Sequence, residues 1–219
     1  MRWAGWFALA AVLMILDANE IARLQDRTTQ LWHGAEDFSA EKSLNLAGSC
    51  QLLELALGNH RANFDLWHEE DKAREPGASD AIIAEVKHNI DRLNQLRNDL
   101  IEAMDRLLLE AAGHQSPEAP LHSETPGLIL DRLSILALKI FHTEEEAHRQ
   151  SATEAHRQRN RARLALLKEQ RDDLVGCLDS LWADVLTQRR RFKLYRQMKM
   201  YNDPELNPAI YKHGASVVS

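Results

Sequence analysis

The stretch DAIIAEVKHNIDRLNQLRNDLIEAMDRLLLEAA, Asp80–Ala112, holds neither proline nor glycine, and its reading decides the fold. Ile83, Val86, Ile90, Leu93, Leu100, Met104 and Leu107 recur at spacings of three and four, the stripe of a helix packed along a bundle. Ser79 or Asp80 stands where such a helix begins, and Gly113 where it stops.

Working outward, the only prolines are Pro76, Pro117, Pro120, Pro126, Pro204 and Pro208. Proline costs about 3 kcal/mol inside a helix, so its confinement to these points leaves room for long uninterrupted helices. The pattern predicts helices over about Asp17–His33, Ser43–Arg74, Asp80–Ala112 and Thr125–Thr153. A fifth runs from there to about Lys199, with Gly176 as a candidate break. No stretch alternates as a strand does. The expected fold is an all-α, up-down bundle of about five helices, two or more of them long, with an irregular basic C-terminal tail. By domain, residues 1–16 are an apolar N-terminal segment, 17–199 the bundle, and 200–219 a tail docking on it.

The 219 residues are 44% apolar and 27% charged, an ordinary globular composition. The net charge of −6 does not suit a chain built to seek polyanions. Leu186–Lys212 departs from this, with seven basic residues, among them Arg196 and Lys199, against two acidic ones. All three tyrosines lie there as well. Nucleic-acid binding is not favoured without a recognisable module. Docking on the acidic bundle, or capping a pocket with cations, are the other readings of that tail. Cys50 and Cys177 form no disulfide framework and suit a reducing compartment. Trp3–Leu16 is apolar and uncharged for 14 residues, short of the ~20 needed to span a bilayer. It reads as a core extension, a weak membrane anchor, or a mis-assigned start with Met14 as the natural first residue. A cytoplasmic location with no stable membrane span is expected, weak N-terminal membrane association being the alternative.

Polar residues interrupt the apolar stripes of three helices. On a helical wheel Leu53, Leu57, Phe64 and Trp67 fall within about 60° of His60. Asp71 and Arg74 continue that face, and Asn63, Glu70 and His68 flank it. Arg97 takes a stripe position between Leu93 and Leu100, with Asn94 and Asn98 beside it, while Asp131, His142 and Glu145 share a face of the fourth helix. An unpaired buried charge costs several kcal/mol, so these groups must meet one another or a ligand. A closed structural network and a polar pocket between the second, third and fourth helices both satisfy that demand.

In the pocket reading, His60, Trp67, Asp71, Arg74, Asn94, Arg97 and Asp131 converge, and Asp71 and Asp131 pair with Arg74, Arg97 and Arg132. His60 is then left to titrate near neutral pH. General acid–base chemistry by His60, His68 or Asp71, with arginines holding an anionic group, is what the residues offer an enzyme. The ligand-binding candidates are Asn63, Trp67, Arg74, Asn94, Arg97, Asn98, Asp131, Arg132, His142, Arg196 and Lys199. Glu85-x-x-His88 and Glu145-x-x-His148 match the spacing of di-metal bundles, yet chance pairs are common in a chain this rich in Glu and His. His60, His68, His142 and Glu145 are only weak candidates for holding a single metal, and neither metal nor cofactor is expected.

Four segments carry a family resemblance: Asn63–Arg74 (NFDLWHEEDKAR), Ile90–Asp99 (IDRLNQLRND), Glu124–Ser134 (ETPGLILDRLS) and Tyr195–Pro208 (YRQMKMYNDPELNP). With them the chain, over roughly Asp17 to Tyr211, resembles the bacterial domain-of-unknown-function 4254 family. The resemblance implies an α-helical bacterial protein of no stated activity, whose relatives accompany glycosyltransferases of surface-polysaccharide or lipopolysaccharide assembly. The function expected is binding or processing of a small anionic metabolite, a sugar phosphate or nucleotide sugar, in a polar core pocket. The alternative is a non-enzymatic accessory or interaction protein of glycan-assembly enzymes, its buried polar residues purely structural.

Overall fold

The computed structural model describes residues 16–34, 51–196, 198 and 205–208. Five helices make up an all-α up-down bundle: α1 (Ala18–Gly34), α2 (Gln51–Lys72), α3 (Asp80–Ala112), α4 (Pro126–His148) and α5 (Glu154–Leu186). The pairs α2–α3 and α4–α5 pack as antiparallel hairpins, and α4 touches all four other helices. Its sequence explains that place: Ile129, Leu130, Leu133, Leu136, Ala137, Leu138 and Ile140 leave it apolar on more than one face, as a central helix must be.

Local chemistry sets the helix ends. Ser79 caps α3 by accepting from the Ile82 N–H, and Gly113 closes it in a left-handed conformation at φ 65°. Thr125 caps α4, with Pro126 in the first turn, where its missing N–H has no partner to lose. The fourth helix stops at His148 rather than Thr153, because Thr153 instead caps α5, accepting from the His156 N–H. The fifth ends at Leu186, well short of Lys199. Gln188 turns the chain out of the helix at φ 60°, while Gly176 lies inside α5 without breaking it.

Beyond α5 the backbone runs alongside the α3–α4 loop. Arg191 donates its N–H to the Pro120 carbonyl at 3.1 Å, and its own carbonyl accepts from His122 at 2.7 Å. Phe192 anchors this strap in the core, and Gln115 meets both its backbone polar groups. Arg189 and Arg190 both pair with Asp184. Basic residues of this segment therefore do lie on an acidic side chain of the bundle. Tyr201, Tyr211 and most of the 200–219 tail fall outside the described residues, as do residues 1–15 and the start expected for the second helix at Ser43.

The main core spans all five helices and includes Ile21, Leu52, Met104, Leu108, Leu130, Leu133, Leu178 and Trp182. Val86, Leu93, Ile101, Met104 and Leu108 are the buried apolar positions of α3, whereas Ile83 is 45% exposed. A second, aromatic cluster of Trp32, Phe64 and Leu138, with Leu57 and Trp67 against it, occupies the ends of α1 and α2. Between the two lies a layer of buried polar side chains: Gln25, Thr28, Thr29, Asn59, His60, Asn63, Asp131 and Ser134. No helix among the described residues is long and apolar enough to cross a membrane.

Candidate functional site

The polar layer is built around Asp131, 3% exposed in the second turn of α4. Arg97 reaches it from α3 in a two-pronged contact, Nε to Oδ1 at 2.7 Å and Nη2 to Oδ2 at 2.5 Å. Asn59 and Asn63, one turn apart on α2, donate to the same Oδ1 at 3.1 and 2.9 Å. Its own hydrogen bonds to the carboxylate hold the Arg97 guanidinium above its ordinary pKa, against the effect of burial.

Donor and acceptor capacity fixes the direction of the remaining bonds. Thr29 spends its hydroxyl proton on the Gln25 carbonyl at 2.8 Å, so its oxygen accepts from His60 Nε2 at 2.9 Å. His60 is then the Nε2–H tautomer, and its bare Nδ1 accepts from Ser134 Oγ at 2.8 Å. Ser134 in turn accepts from Asn63 Nδ2 at 3.0 Å. A single chain of donors thus runs from α2 through α4 and back through His60 to α1. Burial pushes the His60 pKa down to about 3. The expectation that His60 titrates near neutral pH is corrected accordingly: it is fully enclosed, neutral, and bonded at both ring nitrogens.

The outer edge of this layer opens into a groove of about 470 Å³ between α2, α3 and α4. Asn63, Leu66, Trp67, Glu70, Asp71, Arg74, Asn94, Arg97, Ile135 and Leu138 line it. Of the residues expected to converge, Trp67, Asp71, Arg74, Asn94 and Arg97 share the groove with Asn63. Asp131 stands directly behind Arg97, and His60 lies deeper. The pairing differs from expectation for two arginines. Arg74 pairs with Glu70 at 2.8 Å, one helical turn away, and Arg132 with Glu124 at 2.6 Å. Both are exposed, and a partner close in the chain is reached with little rearrangement.

The other candidates fall elsewhere. Asn98 is half-buried on α3 and does not line the groove. Arg132 borders a separate cavity between α4 and α5 that shares Ile135 with the groove. His142 stacks on Trp67 at 4.8 Å between ring centroids, 11° from parallel, and its Nδ1 meets Glu145 at 3.0 Å. His68 joins His142 in an aromatic nest behind the groove, with its Nδ1 4.0 Å from Asp71. Arg196 is exposed on the strap, and Lys199 lies outside the described residues. Glu85 and His88 are both exposed, as are Glu145 and His148. Among the described residues no three His, Cys, Asp or Glu side chains are placed to hold a metal ion.

Sequence reasoning missed Thr29, Gln25, Asn59 and Ser134. Asn59 and Ser134 carried a usable signal, since each lies a few residues from a polar group on an apolar stripe. No curated protein and no solved structure matches the chain. Residues 53–194, which contain Asp131 with its α2, α3 and α4 partners and the whole groove but not Gln25, Thr28 or Thr29 of α1, match the family model described as "Protein of unknown function (DUF4254)", and the chain belongs to that family.

Proposed function

We propose that the groove between α2, α3 and α4 binds the sugar portion of a small metabolite such as a sugar phosphate or nucleotide sugar. The observation that carries this reading is the lining itself: a half-buried tryptophan beside Asn63, Asn94, Asp71 and Arg97. A sugar presents flat C–H faces and a rim of hydroxyls. An indole with amide, carboxylate and guanidinium groups around it meets both. Charge accounting assigns the sugar rather than the phosphate to this spot. Arg97 is matched by Asp131 and Arg74 by Glu70, leaving Asp71 as the excess charge. Any anionic part of the ligand lies toward the mouth of the groove. Cys177 is an exposed free thiol, which supports a reducing, cytoplasmic setting. With such a ligand, the reading extends to a link with surface-glycan assembly.

Thermal melting of the full chain against simple sugars, sugar phosphates and nucleotide sugars tests this. A specific ligand at 100 times its Kd adds about 2.7 kcal/mol of stability. The expected result is a rise with one sugar class that disappears in Trp67→Ala. A flat response to the whole panel, with a stoichiometric protein partner co-purifying instead, sinks the reading in favour of an accessory protein.

A further inference from the structure

Three imidazoles from three helices meet beside the groove. His33 at the end of α1 lies 4.8 Å from His142 of α4 and 5.2 Å from His68 of α2, with 6.2 Å between the latter two rings. Phe64, Phe141 and Trp67 wall them in. His33 Nδ1 lies 2.8 Å from the Thr29 carbonyl, which can only accept, so Nδ1 carries the proton and Nε2 is bare. His142 Nδ1 faces the Glu145 carboxylate at 3.0 Å and donates to it, so in the neutral ring Nε2 is the bare nitrogen. Both Nε2 atoms are buried without a hydrogen-bond partner. Two unsatisfied acceptors on neighbouring rings are a costly arrangement that a single added donor relieves.

We propose that His33 and His142 form a one-proton site whose occupation strengthens the stacking of Trp67 on His142 and so fixes the wall of the groove. A proton from solvent, reached through the partly exposed edge of His142, adds to its Nε2. The new N–H donates to the bare Nε2 of His33 once the two edge-to-face rings, 4.8 Å apart at their centroids, turn these nitrogens toward each other. The positive charge is answered by Glu145 and by the stacked indole of Trp67, a cation over an aromatic face.

A second proton is opposed. Burial holds His33 below its ordinary pKa, and the charge of His142 acts in the same direction, against the Thr29 carbonyl and Glu145. His68 is lowered by burial and by both neighbouring imidazoles, with Asp71 and Asp65 opposing. Arg61, paired with Asp65, is the cation on α2 near the nest, lying over Trp32 and Phe64. The inference does not depend on what the groove binds.

The test is a titration of the full chain from pH 8 to pH 4, followed by the imidazole nitrogen resonances and by Trp67 emission, taken as wild type minus Trp67→Phe. One proton should enter the pair, both rings should respond at a single midpoint, and the Trp67 signal should move with it. His33→Leu removes the acceptor and should lower the proton affinity of His142 at least tenfold. If that variant does not fold, His68→Gln, a change at a half-exposed ring, should leave the single shared midpoint in place. Two independent titrations near the ordinary histidine value of about 6.5 overturn the proposal. So does an unresponsive Trp67. Stoichiometric uptake of Zn²⁺ alone at pH 7.5, abolishing the titration, also overturns it and makes the cluster a metal site.

Discussion

Asp131 in the second turn of α4 and Asp105 on α3 are both nearly inaccessible, 3% and 2% exposed. Asp131 meets a guanidinium and two side-chain amides. Asp105 meets no cation: its oxygens accept from Thr125 Oγ1 at 2.5 Å and from the Gly127 N–H at 2.7 Å, at the first turn of α4. These donors do not outweigh the loss of water, and burial lifts the Asp105 pKa to about 6. One carboxylate is paired with a guanidinium and stands behind the wall of the groove. The other holds a helix terminus at the edge of the main core and is close to neutral in mild acid. Burial alone therefore does not mark a functional carboxylate here; what distinguishes Asp131 is a charged partner that also faces solvent.

The largest expected effect comes from breaking the first arrangement. Arg97→Met leaves Asp131 enclosed with only amide donors, and stranding a buried charge costs about 3–5 kcal/mol. The Arg97 side chain keeps 27% exposure, so water can partly replace it, and a loss near the lower figure is expected in denaturant unfolding. A loss below about 1 kcal/mol would mean that the Asp131 carboxylate is already hydrated, and that the layer behind the groove is open rather than closed.

The two carboxylates were not equally legible in the sequence. Asp131 and Arg97 each interrupt an apolar stripe, and two such interruptions on different helices call for one another. Asp105 sits between Met104 and Leu108 on the buried side of α3, but its partners are a backbone N–H and a capping hydroxyl, which leave no side-chain pattern to read. The ends of α3 were legible because Ser79 and Gly113 are standard caps. The end of α5 was not, since Gln188 takes a left-handed conformation that its residue type does not advertise. His60 was placed correctly on the apolar face, yet its protonation depends on Thr29 and Ser134, contributed by two other helices, and no single-helix wheel contains them.

Gly127 sharpens the comparison at the Asp105 end. A Cβ there would sit 2.8 Å from Asp105 Oδ1 and 2.8 Å from the Ile101 carbonyl oxygen, and the latter is backbone that cannot swing aside. Gly127→Ala should cost about 1–3 kcal/mol, the usual range for overpacking. Gly58→Ala is the control, because its Cβ would meet only Leu100 side-chain carbons at 3.5 and 3.6 Å. That variant should be neutral, or more stable by up to ~1 kcal/mol through helix propensity. Equal effects at the two sites would show that the close approach of α3 to the α4 terminus is not tight.

The smallest effect in acid, and the test that separates the two carboxylates, is Asp105→Asn. An amide can accept from the Gly127 N–H and donate to Thr125, so in acid, where the wild-type carboxyl is itself neutral, the change should barely alter stability. The pH dependence should change. Raised from 3.8 to about 6 in the folded state, Asp105 contributes stability that is fully present below pH 3.8 and is lost as the pH rises through about 6. The amide has no such loss, so the variant should gain on wild type across that interval and stay ahead at neutral pH. His60 acts in the opposite direction: lowered from 6.5 to about 3, it contributes stability that is present above pH 6.5 and lost as the pH falls. The two slopes oppose each other between pH 4 and 6, which makes the raw profile of either protein uninformative. The difference between variant and wild type cancels the histidine contribution and isolates Asp105. A difference that stays flat from pH 4 to 7 would mean that Asp105 is already ionised in the folded protein, and that the α4 terminus alone stabilises its charge.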